Sequence, residues 1–128
     1  MADYVGNIED KAINNDYFRE IVYTGKYCQL VVMSLKPGEE IGSEVHKDVD
    51  KFFRIEKGRG KVIIDGKENQ IIEGVDIVVP AGSEHNVINA VSNSDLKLYT
   101  IYSPPQHKDG IIHKTKKEDA MADETDHL

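Results

Sequence analysis

Residues 74–89 constrain the fold more than any other stretch of this chain. Asp76–Val79 is a short apolar run that reads as a buried strand. Pro80-Ala81-Gly82 is a turn, because proline fixes φ on the way in and glycine permits positive φ on the way out. His85–Asn89 alternates polar and apolar residues, as a second strand does. A strand–turn–strand unit of this kind aims one histidine, His85, into the space between two sheets.

The rest of the chain repeats the strand–turn theme. Arg19–Tyr23 and Tyr27–Leu35 read as strands joined by Thr24-Gly25-Lys26. Phe52–Glu56 follows, and Phe53 and Ile55 share a face with Lys51, which gives that face apolar walls. Lys61–Ile64 and Lys67–Ile72 form a hairpin around Asp65-Gly66. Leu96–Tyr102 is the last strong strand, and Ser103-Pro104-Pro105 ends regular sheet because proline offers no ladder donor. Alternating strands with turns every 8–12 residues or so predict an all-β barrel of short antiparallel strands. Ahead of it, residues 7–18 begin as a short helix, with Asn7 as N-cap and Glu9 and Asp10 in the first turn. Residues 1–25 are therefore expected to form a helix and arm packed on the barrel, covering a sheet edge. Residues 26–103 form the barrel, and residues 104–128 a loop and a partly disordered charged tail, since Lys114–Leu128 lacks an apolar stripe.

At 128 residues the chain is long enough for one domain with one core. Its net charge of −7 argues against a nucleic-acid partner, which needs an excess of lysine and arginine. No apolar run approaches the ~18 residues that cross a bilayer, so no membrane partner is expected. The start, Met1–Asn7, lacks the basic and apolar regions of a secretion signal. Cys28 is the only cysteine, which rules out an internal disulfide; in its apolar run it reads as a small buried hydrophobe. These features predict a cytoplasmic protein.

Gly74, Pro80, Gly82, His85 and Asn89 fall on every fixed position of G-x5-P-x-G-x2-H-x3-N, and by this pattern the chain resembles the cupin family. The resemblance implies a double-stranded β-helix, or jelly-roll barrel. The family's first motif, G-x5-H-x-H-x4-E-x6-G, lies on the chain without a gap from Gly38 to Gly58. Its two histidine places fall on Glu44 and His46, and its glutamate place falls on Lys51. The overall pattern is similar to the small single-domain cupins grouped with mannose-6-phosphate isomerase. A homodimer, formed through an edge strand, is what the resemblance implies.

By position, the resemblance makes Glu44, His46 and His85 candidate metal ligands. Two histidines and a carboxylate suit a divalent transition metal (Zn, Fe, Mn or Ni) with places left open for substrate. Lys51 opposes this, because an ammonium repels a cation, and deprotonating an ordinary lysine at pH 7 costs about 4–5 kcal/mol. Two alternatives follow. Lys51 pairs with Glu44 and stands where the metal charge would stand, or it turns its stem outward and leaves a three-ligand site. Asp48 and Asp50 are expected on a loop facing water, within reach of Lys51. His107 and His113 are expected in a solvated loop, with an acid–base role over the barrel mouth as the alternative.

Two classes of function follow. One is a metal-dependent enzyme, isomerase-like or dioxygenase-like, on a small polar substrate such as a sugar phosphate or keto acid; its metal would polarise a substrate oxygen. The other is a metal-free cupin that binds or senses a small ligand, with Lys51 and Phe53 as binding residues.

Overall fold

The computed structural model describes residues 2–126. Helix α1 (Ile8–Asn14) is followed by strands β1 (Arg19–Thr24), β2 (Gln29–Leu35), β3 (Asp50–Lys57), β4 (Arg59–Ile64), β5 (Lys67–Ile72), β6 (Asp76–Val79), β7 (His85–Ile88), β8 (Leu96–Ser103) and β9 (Ile112–His113), then helix α2 (Lys116–Asp126). A six-stranded sheet runs β6-β3-β8-β2-β1-β9, and a three-stranded sheet runs β5-β4-β7. Their neighbouring strands pair antiparallel. The two sheets form the all-β barrel of short antiparallel strands expected from the strand pattern, in the two-sheet form that the family resemblance implies.

Alternation along the strands explains why the sheets face each other. β3 buries Lys51, Phe53 and Ile55 on one face, while Phe52 and Arg54 between them are less covered. Val31, Met33 and Leu35 of β2, Leu96 and Leu98 of β8, and Val62, Ile71 and Val87 of the smaller sheet complete the core. Fully burying a side chain such as Leu98 contributes about 1.5–3 kcal/mol.

The turns follow their residues. Asp65 and Gly66 have φ of 48° and 82°, the pair of positive angles that a two-residue type I′ hairpin needs. Gly58, which closes the first motif, has φ of 92°, and a Cβ there would collide with the Asp95 carbonyl oxygen. In α1, Asn7 accepts from the Asp10 N–H at 3.1 Å, as a capping residue should.

β1, read as a strand from the sequence, lies in the large sheet between β2 and β9. One expectation changes at the N-terminal side. β2 begins at Gln29, so Cys28 lies in the preceding turn and is exposed rather than buried. The Gly25 N–H donates to the Cys28 carbonyl at 2.8 Å, which closes that turn and takes Cys28 out of the sheet. Among the described residues, no helix is long and apolar enough to cross a membrane.

Candidate functional site

The two motifs meet through the backbone. Glu44 and His85 form an isolated antiparallel bridge, with Glu44 N–H to His85 carbonyl at 2.9 Å and His85 N–H to Glu44 carbonyl at 3.0 Å. The Gly82 N–H donates to the His46 carbonyl at 2.9 Å. The other fixed motif residues are structural. Asn89 is buried and donates to the carbonyls of Leu35 and Ser94, and the Gly74 N–H donates to the Ile55 carbonyl.

Glu44 is the hub of the side chains. Its Oε1 accepts from Lys51 Nζ at 3.0 Å, and its Oε2 accepts from His46 Nε2 at 3.1 Å. Lys51 is only 2 % exposed. Its Nζ lies 5.9 Å from the Phe53 ring centre and 5.0 Å from that of Tyr102, so two aromatic faces flank the cation. Burial alone would raise the Glu44 pKa. The His46 hydrogen bond and the Lys51 charge outweigh it and hold the carboxyl well below the usual range.

His85 sits apart from that trio, its ring centre 6.1 Å from that of His46 and 6.2 Å from that of Phe53. Its Nδ1–H donates to the Ser83 carbonyl at 3.0 Å, which fixes the tautomer. Among the described residues, the buried Nε2 has no hydrogen-bond partner. Burial, reinforced by the Lys51 charge, pushes the His85 pKa down, so the neutral ring keeps a lone pair on Nε2.

Glu44, His46 and His85 have the right donor chemistry for a divalent metal, but their arrangement does not fit one. Both Glu44 oxygens are taken, one by an ammonium, and His46 turns Nε2 toward Glu44. Among the described residues, no group of three or more His, Cys, Asp and Glu is arranged to hold a metal ion. Of the two geometries open to Lys51, the inward one is present: it pairs with Glu44. Asp48 and Asp50 are exposed, and Asp50 accepts from the Ala81 N–H at 2.8 Å.

A second polar cluster lies beside the first. Arg19 on β1 is 4 % exposed. Its Nη1 donates to Tyr102 Oη at 2.8 Å and contacts His107 Nε2 at 3.0 Å. Its Nε and Nη2 donate to Asp119 of α2 at 2.7 and 3.4 Å. His113 Nδ1 lies 2.6 Å from the same Asp119 carboxylate. His107 and His113 are therefore buried, not solvated, because a guanidinium and a carboxylate give their ring nitrogens partners inside. Sequence reasoning missed Arg19 and Asp119, which are 100 positions apart. The one signal for Arg19 was a charged residue opening a strand whose next residues are largely apolar.

Between the two clusters lies a cavity of about 280 Å³, lined by Arg19, Ser43, Glu44, Lys116, Asp119 and Ala120 among others. A larger depression of about 570 Å³ beside α1 contains no motif residue. The cavity joins an ionised carboxylate, Glu44, to a cation, Arg19, in one water-accessible space.

The Cupin domain family matches residues 31–102. The uncharacterized protein YrkC of Bacillus subtilis (strain 168) is 44 % identical, over 94 % of this chain and 68 % of that protein. The uncharacterized protein L612 of Acanthamoeba polyphaga mimivirus is 44 % identical over 85 % of this chain and 70 % of its own. The crystal structure of BH2720 from Bacillus halodurans has a TM-score of 0.90 at 42 % identity, covering 94 % of this chain and 95 % of that one.

Proposed function

The chain belongs to the cupin family, and we propose that it is a cupin that binds a small polar ligand without a metal. One observation carries this reading: the buried Lys51 Nζ holds Glu44 at 3.0 Å, where the family pattern places the metal's ligands. The His46 hydrogen bond and the Lys51 charge keep the Glu44 carboxylate ionised against its burial. The carboxylate, a quarter exposed, faces the cavity and accepts hydrogen bonds from ligand hydroxyls. The neutral ring of His85, its centre 6.1 Å from that of His46, lines a separate depression with Ser43 and Asn86 and keeps its Nε2 buried. Phe53 and Tyr102 supply the apolar wall that keeps the Lys51 cation dry and near Glu44. Homodimerisation through a sheet edge belongs to the same proposal, supported by the exposed Ile72 of β5 and Val78 of β6.

The metal-dependent enzyme, isomerase-like or dioxygenase-like, has one observation in its favour, the partnerless Nε2 of His85. A thermal-shift screen of sugar phosphates, keto acids and hydroxy acids on chelator-treated protein separates the two. The proposal expects a ligand that raises the melting temperature without added metal, and less so in Glu44→Gln. Stabilisation only after a transition metal is restored, and lost in His85→Ala, would overturn it.

A further inference from the structure

We propose that the mouth of the barrel is a carboxylate subsite in which Arg19 binds the carboxylate of a small hydroxycarboxylate, and that Asp119 of α2 occupies this subsite until the ligand displaces it. The inference rests on the reading that Glu44 receives the ligand's hydroxyl, and it adds what holds the other end.

Arg19 divides its donors. Nη1 is fixed by the barrel residues Tyr102 and His107. The Nε and Nη2 edge, the planar fork that matches a carboxylate, is used by Asp119 alone among the hydrogen bonds of the described residues. The site thus already holds a carboxylate, and the guanidinium stays anchored when that carboxylate leaves.

Helix α2 shows little apolar anchorage among its described residues. Met121 is its only large apolar residue, and it is 78 % exposed. Among the described residues, polar contacts join it to the barrel, including Asp119 to Arg19 and His113 and Lys116 Nζ to the carbonyls of Glu40 and Ile41. An isolated helix of 11 residues is marginal in water, and among its described residues the one large apolar side chain, Met121, is exposed and does not oppose release.

Arg19, Asp119 and Glu44 line the same cavity of about 280 Å³, which suits a molecule of a few carbons rather than a drug-sized ligand. A hydroxycarboxylate spans it with complementary ends, its carboxylate on Arg19 and its hydroxyl donating to Glu44.

The test is calorimetric titration of the full chain with malate, succinate and malamide. Malate should bind, and malamide, without carboxylates, should not. Asp119→Asn removes the internal competitor and should tighten malate about tenfold, whereas Arg19→Gln should abolish binding. Hydrogen exchange of the wild type gives a readout that needs no variant: malate should speed exchange in α2 and leave the barrel strands slow. Equal binding of malamide and malate, unchanged affinity in Asp119→Asn, or slowed exchange in α2 would each overturn the subsite. Succinate tests the underlying reading separately. If it binds as tightly as malate while Asp119→Asn still tightens both, the Glu44 hydroxyl contact fails and the carboxylate subsite stands.

Discussion

Two ion pairs meet at one cavity, which Glu44 lines from the first and Arg19 and Asp119 from the second, and they differ in almost every respect but charge. Glu44–Lys51 joins residues seven apart, within one motif, by a single 3.0 Å contact. Lys51 belongs to a regular strand and Glu44 is pinned by a backbone bridge to His85. Arg19–Asp119 joins the first strand to the last helix across 100 positions, and one partner rides on an element with little apolar anchorage. The first pair is part of the barrel's frame. The second is a latch between the barrel and its C-terminal cover. A rigid pair sets the charge inside the pocket, and a detachable one sets access to it.

The sharpest way to break this contrast is to remove Glu44. Glu44→Ala leaves the Lys51 ammonium buried without its carboxylate. It should destabilise the protein by about 3–5 kcal/mol, nearer the low end because Glu44 is 25 % exposed on its side chain. Urea unfolding reads this. The double variant Glu44→Leu/Lys51→Met should regain most of the loss, since an apolar pair of similar volume needs no charge compensation. Failure to regain it would mean that the pair is not what the frame depends on.

Asp119→Asn should cost less, about 1–3 kcal/mol, because the amide still accepts one hydrogen bond from Arg19. Its effect should be local: faster exchange in α2 with the barrel unchanged. A cooperative loss across β2, β3 and β8 would make the latch part of the frame and erase the contrast.

Acid titration separates the groups in order. His85 has a folded pKa below its ordinary 6.5, so the unfolded chain takes up a proton first, and stability should begin to fall as pH drops below about 6.5. Glu44 and Asp119, both lowered from ordinary values of 4.5 and 3.8, contribute stability that is fully present above those values. It is lost as pH falls from there toward the folded pKa values. His85→Asn should remove the first decline and keep the second, as read by melting temperature against pH. The smallest effect is expected at the exposed pair Lys61–Glu68, 31 % and 49 % accessible, where Glu68→Gln should change stability by about 0–1 kcal/mol. It is the baseline for both buried pairs.

The sequence made the frame legible and the latch invisible, for physical reasons. Period-two alternation and turn chemistry at Asp65-Gly66 and Pro80-Ala81-Gly82 are local, so β1 to β8 could be placed within a residue or two, whereas the two-residue β9 was read as loop. The Glu44–Lys51 pair was within reach because motif spacing put both residues in one barrel, although spacing alone left open which way Lys51 points. Arg19, Asp119, His107 and His113 come together only when β1, β9 and α2 are folded, and no local pattern records a contact of 100 residues. Cys28 was misread because apolar composition continues through a turn that ends the strand's burial.

The central claim is that Lys51 takes the place of a metal. Metal content of the untagged protein, by mass spectrometry beside Lys51→Gln and His85→Ala, tests it most directly. The account predicts negligible transition metal in the wild type, even after incubation with Zn, Fe, Mn or Ni, and a gain in Lys51→Gln. About one metal per chain in the wild type, lost in His85→Ala, would contradict it.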